Sequence, residues 1–129
     1  MTTTTRPSTR SAARRAAAVA LAVLAPLAIW AVAVPVAGLD LTATPIGGTA
    51  TPVGALAVVA GALCAGLSGW ALLAVLERRA TRPRRTWTVI ALAVLGLSLA
   101  TPLAGATGPS LLVLLSMHLA VGAVLITLL

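Results

Sequence analysis

A chain of 129 residues that is 60% hydrophobic, 9% charged and +7 in net charge lacks the polar surface of a soluble domain, where about a quarter of residues are charged. Its mean hydropathy is +1.09 and its pI is near 12, a pI that would suit a nucleic-acid binder. The positive charge is all arginine, however, and it flanks apolar runs with no interleaved aromatic residues, so membrane insertion accounts for it and nucleic acid is not an expected partner.

In chain order, residues 1–15 hold a threonine run, a proline and four arginines, Arg6, Arg10, Arg14 and Arg15, with nothing apolar to bury. They read as a disordered basic cytoplasmic tail. Residues 16–129 read as one transmembrane domain with no soluble part. Its first span is 16–36, and 21 helical residues at about 1.5 Å each cover about 30 Å, the thickness of the hydrocarbon core. Pro26 falls mid-span and should kink that helix. A signal peptide is the competing reading, because Ala31-Val32-Ala33 resembles a cleavage site. The run is longer than the usual apolar core of a signal peptide and further spans follow it, so an uncleaved anchor is expected.

A loop rich in Gly, Thr and Pro follows, with one charge, Asp40, and then a second span at 52–76. Glu77 and five arginines, Arg78, Arg79, Arg82, Arg84 and Arg85, make the next loop. The third and fourth spans are 87–106 and 110–129. Four spans put both termini on one face. The positive-inside rule then places all nine arginines in the cytoplasm, so the topology is N-in/C-in and the location is the cytoplasmic membrane. Trp30 and Trp87 fit interfacial anchors, and Trp70, deeper in its span, fits a packing role between helices.

Ala43-Thr44-Pro45-Ile46-Gly47-Gly48 matches Ala100-Thr101-Pro102-Leu103-Ala104-Gly105, with Trp30 and Trp87, and Pro52 and Pro109, at the same offset. Two duplicated helical hairpins would produce this, and chance similarity in so alanine-rich a chain would produce it too.

Few residues offer chemistry. Ala57, Gly61, Ala65 and Gly69 recur every fourth residue along the second span and make a stripe on which another helix can pack closely. A contact inside the chain is expected before one between copies. His118 lies near the midplane of the fourth span, where an ionisable group is a functional candidate. Its structural alternative is a neutral imidazole bonded to a helix carbonyl or to Ser68, Ser98 or Ser116. Asp40 could pair with His118 only if the first outer loop dipped into the bundle; a solvated or turn-capping role is the simpler one. Glu77 is expected in a surface ion pair or solvated. The arginine loop should rest on anionic headgroups, at about 1 kcal/mol for each arginine near the surface.

One histidine, one cysteine (Cys64) and two separated acids make neither a zinc site, a redox thiol pair nor a carboxylate dyad. No glycine-rich loop ends in lysine. No cofactor or metal is therefore expected.

Beyond these residues, several segments carry a family likeness. They are the Arg-rich start, Trp30-Ala31-Val32-Ala33-Val34-Pro35, Gly38-Leu39-Asp40-Leu41, Thr51-Pro52-Val53-Gly54, Gly66-Leu67-Ser68-Gly69-Trp70, Arg85-Thr86-Trp87-Thr88-Val89 and the closing run from Met117-His118 to Ile126. Together they resemble a family of small four-helix integral membrane proteins from actinobacteria whose domain has no known function. The resemblance implies four helices and a membrane location, and it carries over no catalytic residues.

The expected fold is all-α and polytopic. The expected role is a non-enzymatic membrane component or accessory subunit. The alternative is a subunit of an oligomeric small transporter or channel with His118 in a polar path, and a membrane-embedded enzyme comes third. Expected partners are the bilayer itself and either further copies of the chain or another membrane protein.

Overall fold

A computed structural model describes residues 9–129. Four helices form the fold: α1 (Thr9–Ala31), α2 (Ala55–Arg79), α3 (Pro83–Gly105) and α4 (Gly108–Leu128). A π-turn, Val32–Val36, prolongs α1, and two short strands, β1 (Thr42–Ala43) and β2 (Thr51–Pro52), lie between α1 and α2. All four helices are long and apolar enough to cross a membrane. The chain is an all-α polytopic membrane protein.

The first helix starts earlier than the sequence reading has it. Residues 9–15, expected in the tail, continue α1. Ala and Arg are strong helix formers, and an arginine stem can lie along apolar surface while its charge stays in water. The rest of the expected tail, 1–8, lies outside the described residues.

Both prolines of the first span are absorbed without breaking it. α1 runs through Pro26, which leaves the Ala22 carbonyl without its usual amide partner. Pro35 is met differently. In an α-helix its ring would crowd the Ala31 carbonyl; here the turn widens, and Ala37 N–H donates to the Val32 carbonyl at 2.9 Å, five residues back. Gly38, at φ +69°, stops the helix. Leu39 N–H donates to Ala33 at 3.0 Å and Gly38 N–H to Val34 at 3.0 Å, each one residue wider than in the usual glycine stop.

The second span begins at Ala55 because 52 is taken by a strand. β1 and β2 pair antiparallel, Thr42 opposite Pro52 and Ala43 opposite Thr51. Gly48 N–H closes a turn on the Pro45 carbonyl at 2.9 Å, and φ of +77° at Gly47 makes it type II. This hairpin folds onto the bundle end. Leu41 is buried with Ala106, Leu114 and Met117, beside Trp30 and Val53.

The helices form a ring in which α1 packs mainly on α4 and α2, and α3 packs on α2 and α4. Neighbours are antiparallel. The α2–α3 and α3–α4 connections are only three and two residues long. Arg15 at the start of α1 pairs with Glu77 at the end of α2, and Trp30 near the end of α1 bonds Val53 just before α2. A second cluster, Ala18, Ala22, Leu73, Trp87, Leu125 and Leu129, closes the arginine-bearing end. The starts of α1 and α3 and the end of α2 thus gather Arg14, Arg15, Arg78, Arg79, Arg82, Arg84 and Arg85 at one end. Arg10 lies on the same end of α1, and Arg6 is outside the described residues.

The two Ala-Thr-Pro segments adopt different structures. Ala43-Thr44-Pro45 belongs to the hairpin, whereas Thr101 and Pro102 sit in the last turns of α3. The long loop of the first half has no counterpart in the second, where Ala106 and Thr107 alone join the helices.

Candidate functional site

Between the two end clusters, α3 stands away from the rest of the bundle. Trp87 and Pro102, near its two ends, are its buried residues. The separation leaves a cleft of about 500 Å³ between α2, α3 and α4. Ala57, Gly61, Ala65, Ser68 and Val94 line it and are exposed, so it is open. With the packed clusters above and below, it opens sideways.

Its smooth wall is the predicted small-residue stripe. Ala57, Gly61 and Ala65 face open space, and a Cβ added at Gly61 would meet nothing within 4 Å. The stripe is thus exposed at those positions and walls the cleft, where a packed helix contact inside the chain was expected. Only Gly69, at its arginine-bearing end, is close to other residues, with Leu129 and Trp87 beside it. One residue further on, Ala62 and Gly66 are buried, and Gly66 packs against α1 at Val19. A Cβ on Gly66 would come within 3.0 Å of Val19. Both faces carry small residues at four-residue spacing, so periodicity alone does not separate the packed face from the open one.

The tryptophans also change roles. Trp87, expected as an interfacial anchor, is 3% exposed, and its indole N–H donates to the Gly69 carbonyl at 3.0 Å. Trp30 is half-buried and donates to the Val53 carbonyl at 2.8 Å. Trp70, expected between helices, is only half-buried, and Trp87 does the packing. An indole N–H is a donor that needs a partner in hydrocarbon, and each of these two finds a backbone carbonyl on a neighbouring segment.

His118 lines the cleft and also a smaller cavity of about 180 Å³ beneath the hairpin. Thr44, Thr101, Pro102 and Gly105 border that smaller space, so the two Ala-Thr-Pro segments meet there. The fit is close: a Cβ on Gly105 would run into the Thr44 carbonyl. His118 Nδ1 lies 2.7 Å from the Leu114 carbonyl one turn back. A carbonyl only accepts, so Nδ1 carries the proton and, in the neutral ring, Nε2 is the acceptor. The bond partner is thus a helix carbonyl. The serines go elsewhere: Ser98 donates to Leu95 at 2.8 Å and Ser116 to Leu112 at 2.7 Å.

Asp40 is exposed and lines neither cavity with His118. Its backbone carbonyl, not its carboxylate, receives the Ser110 hydroxyl at 3.1 Å. Glu77 pairs with Arg15, 62 positions away, and not with its sequence neighbours Arg78 and Arg79. Cys64 is a free, exposed thiol. Among the described residues no group of three or more His, Cys, Asp or Glu side chains could hold a metal.

Residues 6–129 match the family of unknown function DUF6069. The chain belongs to this family. No curated protein and no solved structure is significantly similar to it. Sequence reasoning missed the cleft itself, because a cavity comes from the standing-off of α3 and leaves no periodic signal. Ser68, expected only as one of three serines that could bond His118, lies on the cleft wall.

Proposed function

We propose that the protein is a non-enzymatic component of the cytoplasmic membrane, with both termini in the cytoplasm, whose intramembrane cleft receives an apolar guest. The observation that carries this is the open cleft at mid-membrane depth, walled by Ala57, Gly61 and Ala65 and holding His118 bonded to its own helix backbone. No carboxylate or thiol lines the cleft, so its polar groups can orient a guest more readily than transform it. Arginines collected at one end support the N-in/C-in orientation. They also support contact with anionic headgroups on that side.

A second reading has its own observation. His118 borders both cavities, as a residue on a path from the hairpin end to the bundle interior would. That path would make the chain one subunit of an oligomeric transporter or channel, and the open face of α2 is the surface on which copies could meet.

Purified protein in proteoliposomes separates the two. The binding role predicts no proton or solute flux above empty vesicles. Flux that disappears in His118→Ala overturns it in favour of transport. Membrane-impermeant labelling of single cysteines, placed in a Cys64→Ser background at Gly47 and at Arg82, tests the orientation. Labelling of intact cells at Gly47 alone is expected; labelling at Arg82 alone reverses the topology.

A further inference from the structure

Water occupies a protein cavity that has room for it and offers it two to four polar partners. The space beneath the hairpin meets both conditions. Its volume of about 180 Å³ is far above the roughly 15 Å³ that one water needs. Its polar lining is Thr44, Thr51, Thr101 and His118. Thr51 spends its hydroxyl proton on the Ala43 carbonyl at 3.2 Å and keeps its lone pairs. The hydroxyls of Thr44 and Thr101 bond no group among the described residues. By contrast, Thr86, Thr88 and Thr127 each donate to a carbonyl four residues back on their own helix. An unpaired hydroxyl is costly in hydrocarbon, so these two mark a place that water fills. Pro45, Thr51 and Thr101 are exposed, and the space is open at the hairpin.

His118 is the deepest member of that lining. By helical rise it is about 15 Å from the start of α4, whereas Thr101 is about 6 Å from the end of α3. Helix side chains lean towards the N-terminus of their helix, which for α4 is the hairpin end. The bond from Nδ1 to the Leu114 carbonyl, one turn back, holds the ring in that direction. No buried side-chain nitrogen or oxygen among the described residues lacks a partner. Nε2 of the half-buried His118 bonds no group of the chain, so it is open to water, and its lone pair is where a proton adds.

Water has no comparable route from the other end. Ala18, Ala22, Leu73, Trp87, Leu125 and Leu129 are packed together at the arginines. The cleft between is lined almost wholly by apolar groups and opens sideways, towards lipid. His118 is also the one titratable group on either lining. The arginines of α1 and α3, and Glu77, Arg78 and Arg79 of α2, stand at the far end. Cys64 of α2 and Asp40 of the loop before the hairpin line neither space.

We infer that the space beneath the hairpin is a water-filled vestibule through which His118 binds and releases protons from the hairpin side alone. The Nε2 lone pair takes a proton from hydronium in the vestibule and leaves a water molecule; release is the reverse, and Nδ1–H stays on Leu114 throughout. The site goes beyond the guest-binding role and does not depend on it, since an empty cleft leaves it standing. To test it, single cysteines are placed in the full chain in a Cys64→Ser background. They stand at His118, at Ala65 on the cleft wall, and at Gly47 and Arg82 to mark the two sides. Right-side-out and inside-out membrane vesicles of each variant are treated with a charged, membrane-impermeant methanethiosulfonate, and gel filtration checks that each variant folds.

His118→Cys is expected to react in the vesicles that label Gly47→Cys and not in those that label Arg82→Cys. It should react about tenfold faster than Ala65→Cys, because the thiolate is the reactive form and apolar surroundings suppress it. Adding Thr44→Val and Thr101→Val, which keep the shape and remove the hydroxyls, should slow His118→Cys and leave Gly47→Cys unchanged. With both sides marked in this way, the result holds whichever way the chain lies in the membrane. Reaction from the Arg82 side, alone or in addition, overturns the one-sided access. Reaction no faster than at Ala65 overturns the vestibule. The native chain gives a second readout, since His118 is its only histidine. Nitrogen NMR of the labelled ring in nanodiscs should show the neutral Nδ1–H form in alkaline buffer and the imidazolium on acidification. A ring that stays neutral in every buffer in which the protein remains folded overturns the proton site.

Discussion

Trp87 gives the sharpest test of how this fold is held. It is 3% exposed, sits in the cluster at the arginine end, and donates its indole N–H to the Gly69 carbonyl at 3.0 Å. In a water-soluble core, removing such a side chain costs about 3–5 kcal/mol. In a membrane the unfolded reference is a helix already surrounded by lipid, so the water-expelling part of that figure falls away. What remains is one interhelical hydrogen bond, about 1 kcal/mol in a bilayer, and the dispersion contacts around the vacated space, on the order of another 1 kcal/mol. Trp87→Ala is therefore expected to destabilise by about 2 kcal/mol, and Trp87→Phe, which keeps most of the ring, by about 1 kcal/mol. Trp70→Ala, at a half-buried position, should cost under about 0.5 kcal/mol. Steric-trapping or detergent-denaturation measurements on the purified chain read all three. A cost above about 4 kcal/mol for Trp87→Ala would show that water expulsion still dominates this end of the bundle. A Trp70 variant as costly as the Trp87 variants refutes the exchange of roles between them.

Three further outcomes follow from particular contacts. Gly105→Ala places a methyl group against the Thr44 backbone, which cannot rotate away as a side chain could, so it should cost about 1–3 kcal/mol and lift the hairpin. A cysteine at Thr101, bordering the small cavity, should then react faster with a small maleimide, and an unchanged rate sinks the idea; Gly61→Ala, facing open space, serves as the silent control. Arg15 and Glu77 form an ion pair with side chains 17% and 36% exposed, so a double-mutant cycle should give a coupling of about 0.5 kcal/mol that shrinks with salt; a coupling above about 2 kcal/mol contradicts the assignment to a wet end. Cys64 is exposed on a membrane-spanning helix, so a lipid-soluble maleimide should label it in intact membranes and a charged one should not; equal labelling by both would mean that water reaches it.

Much of this architecture was readable from spacing and charge. Apolar runs of about 20 residues, set between arginine groups, mark four helices because only a helix of that length satisfies its own backbone across hydrocarbon. Helix ends were less legible. Pro52 looks like the opening of a span, but a strand pairing with Thr42 takes it, and that pairing is a long-range event no local pattern reports. Residues 9–15 look like tail because arginine is charged, whereas a guanidinium at the membrane edge is compatible with a continuing helix. The stripe at Ala57, Gly61 and Ala65 was visible as a feature but not its orientation, because α2 carries a second set of small residues, Ala62 and Gly66, which is the buried one. For His118, depth could be counted from the sequence. The choice of Leu114 over a serine depends on a rotamer, which spacing does not encode.

The wall of alanines and glycine along the cleft has an entropic consequence. Side chains of Ala and Gly have no rotamers to freeze, whereas long side chains lose up to about 2 kcal/mol each on immobilisation. A guest lying on Ala57, Gly61 and Ala65 therefore orders almost nothing of that surface. The remaining ordering cost falls on the guest itself. Selection along this wall then depends on stiffness as much as on size: of two bodies with the same volume, the one with fewer freely turning bonds is retained longer.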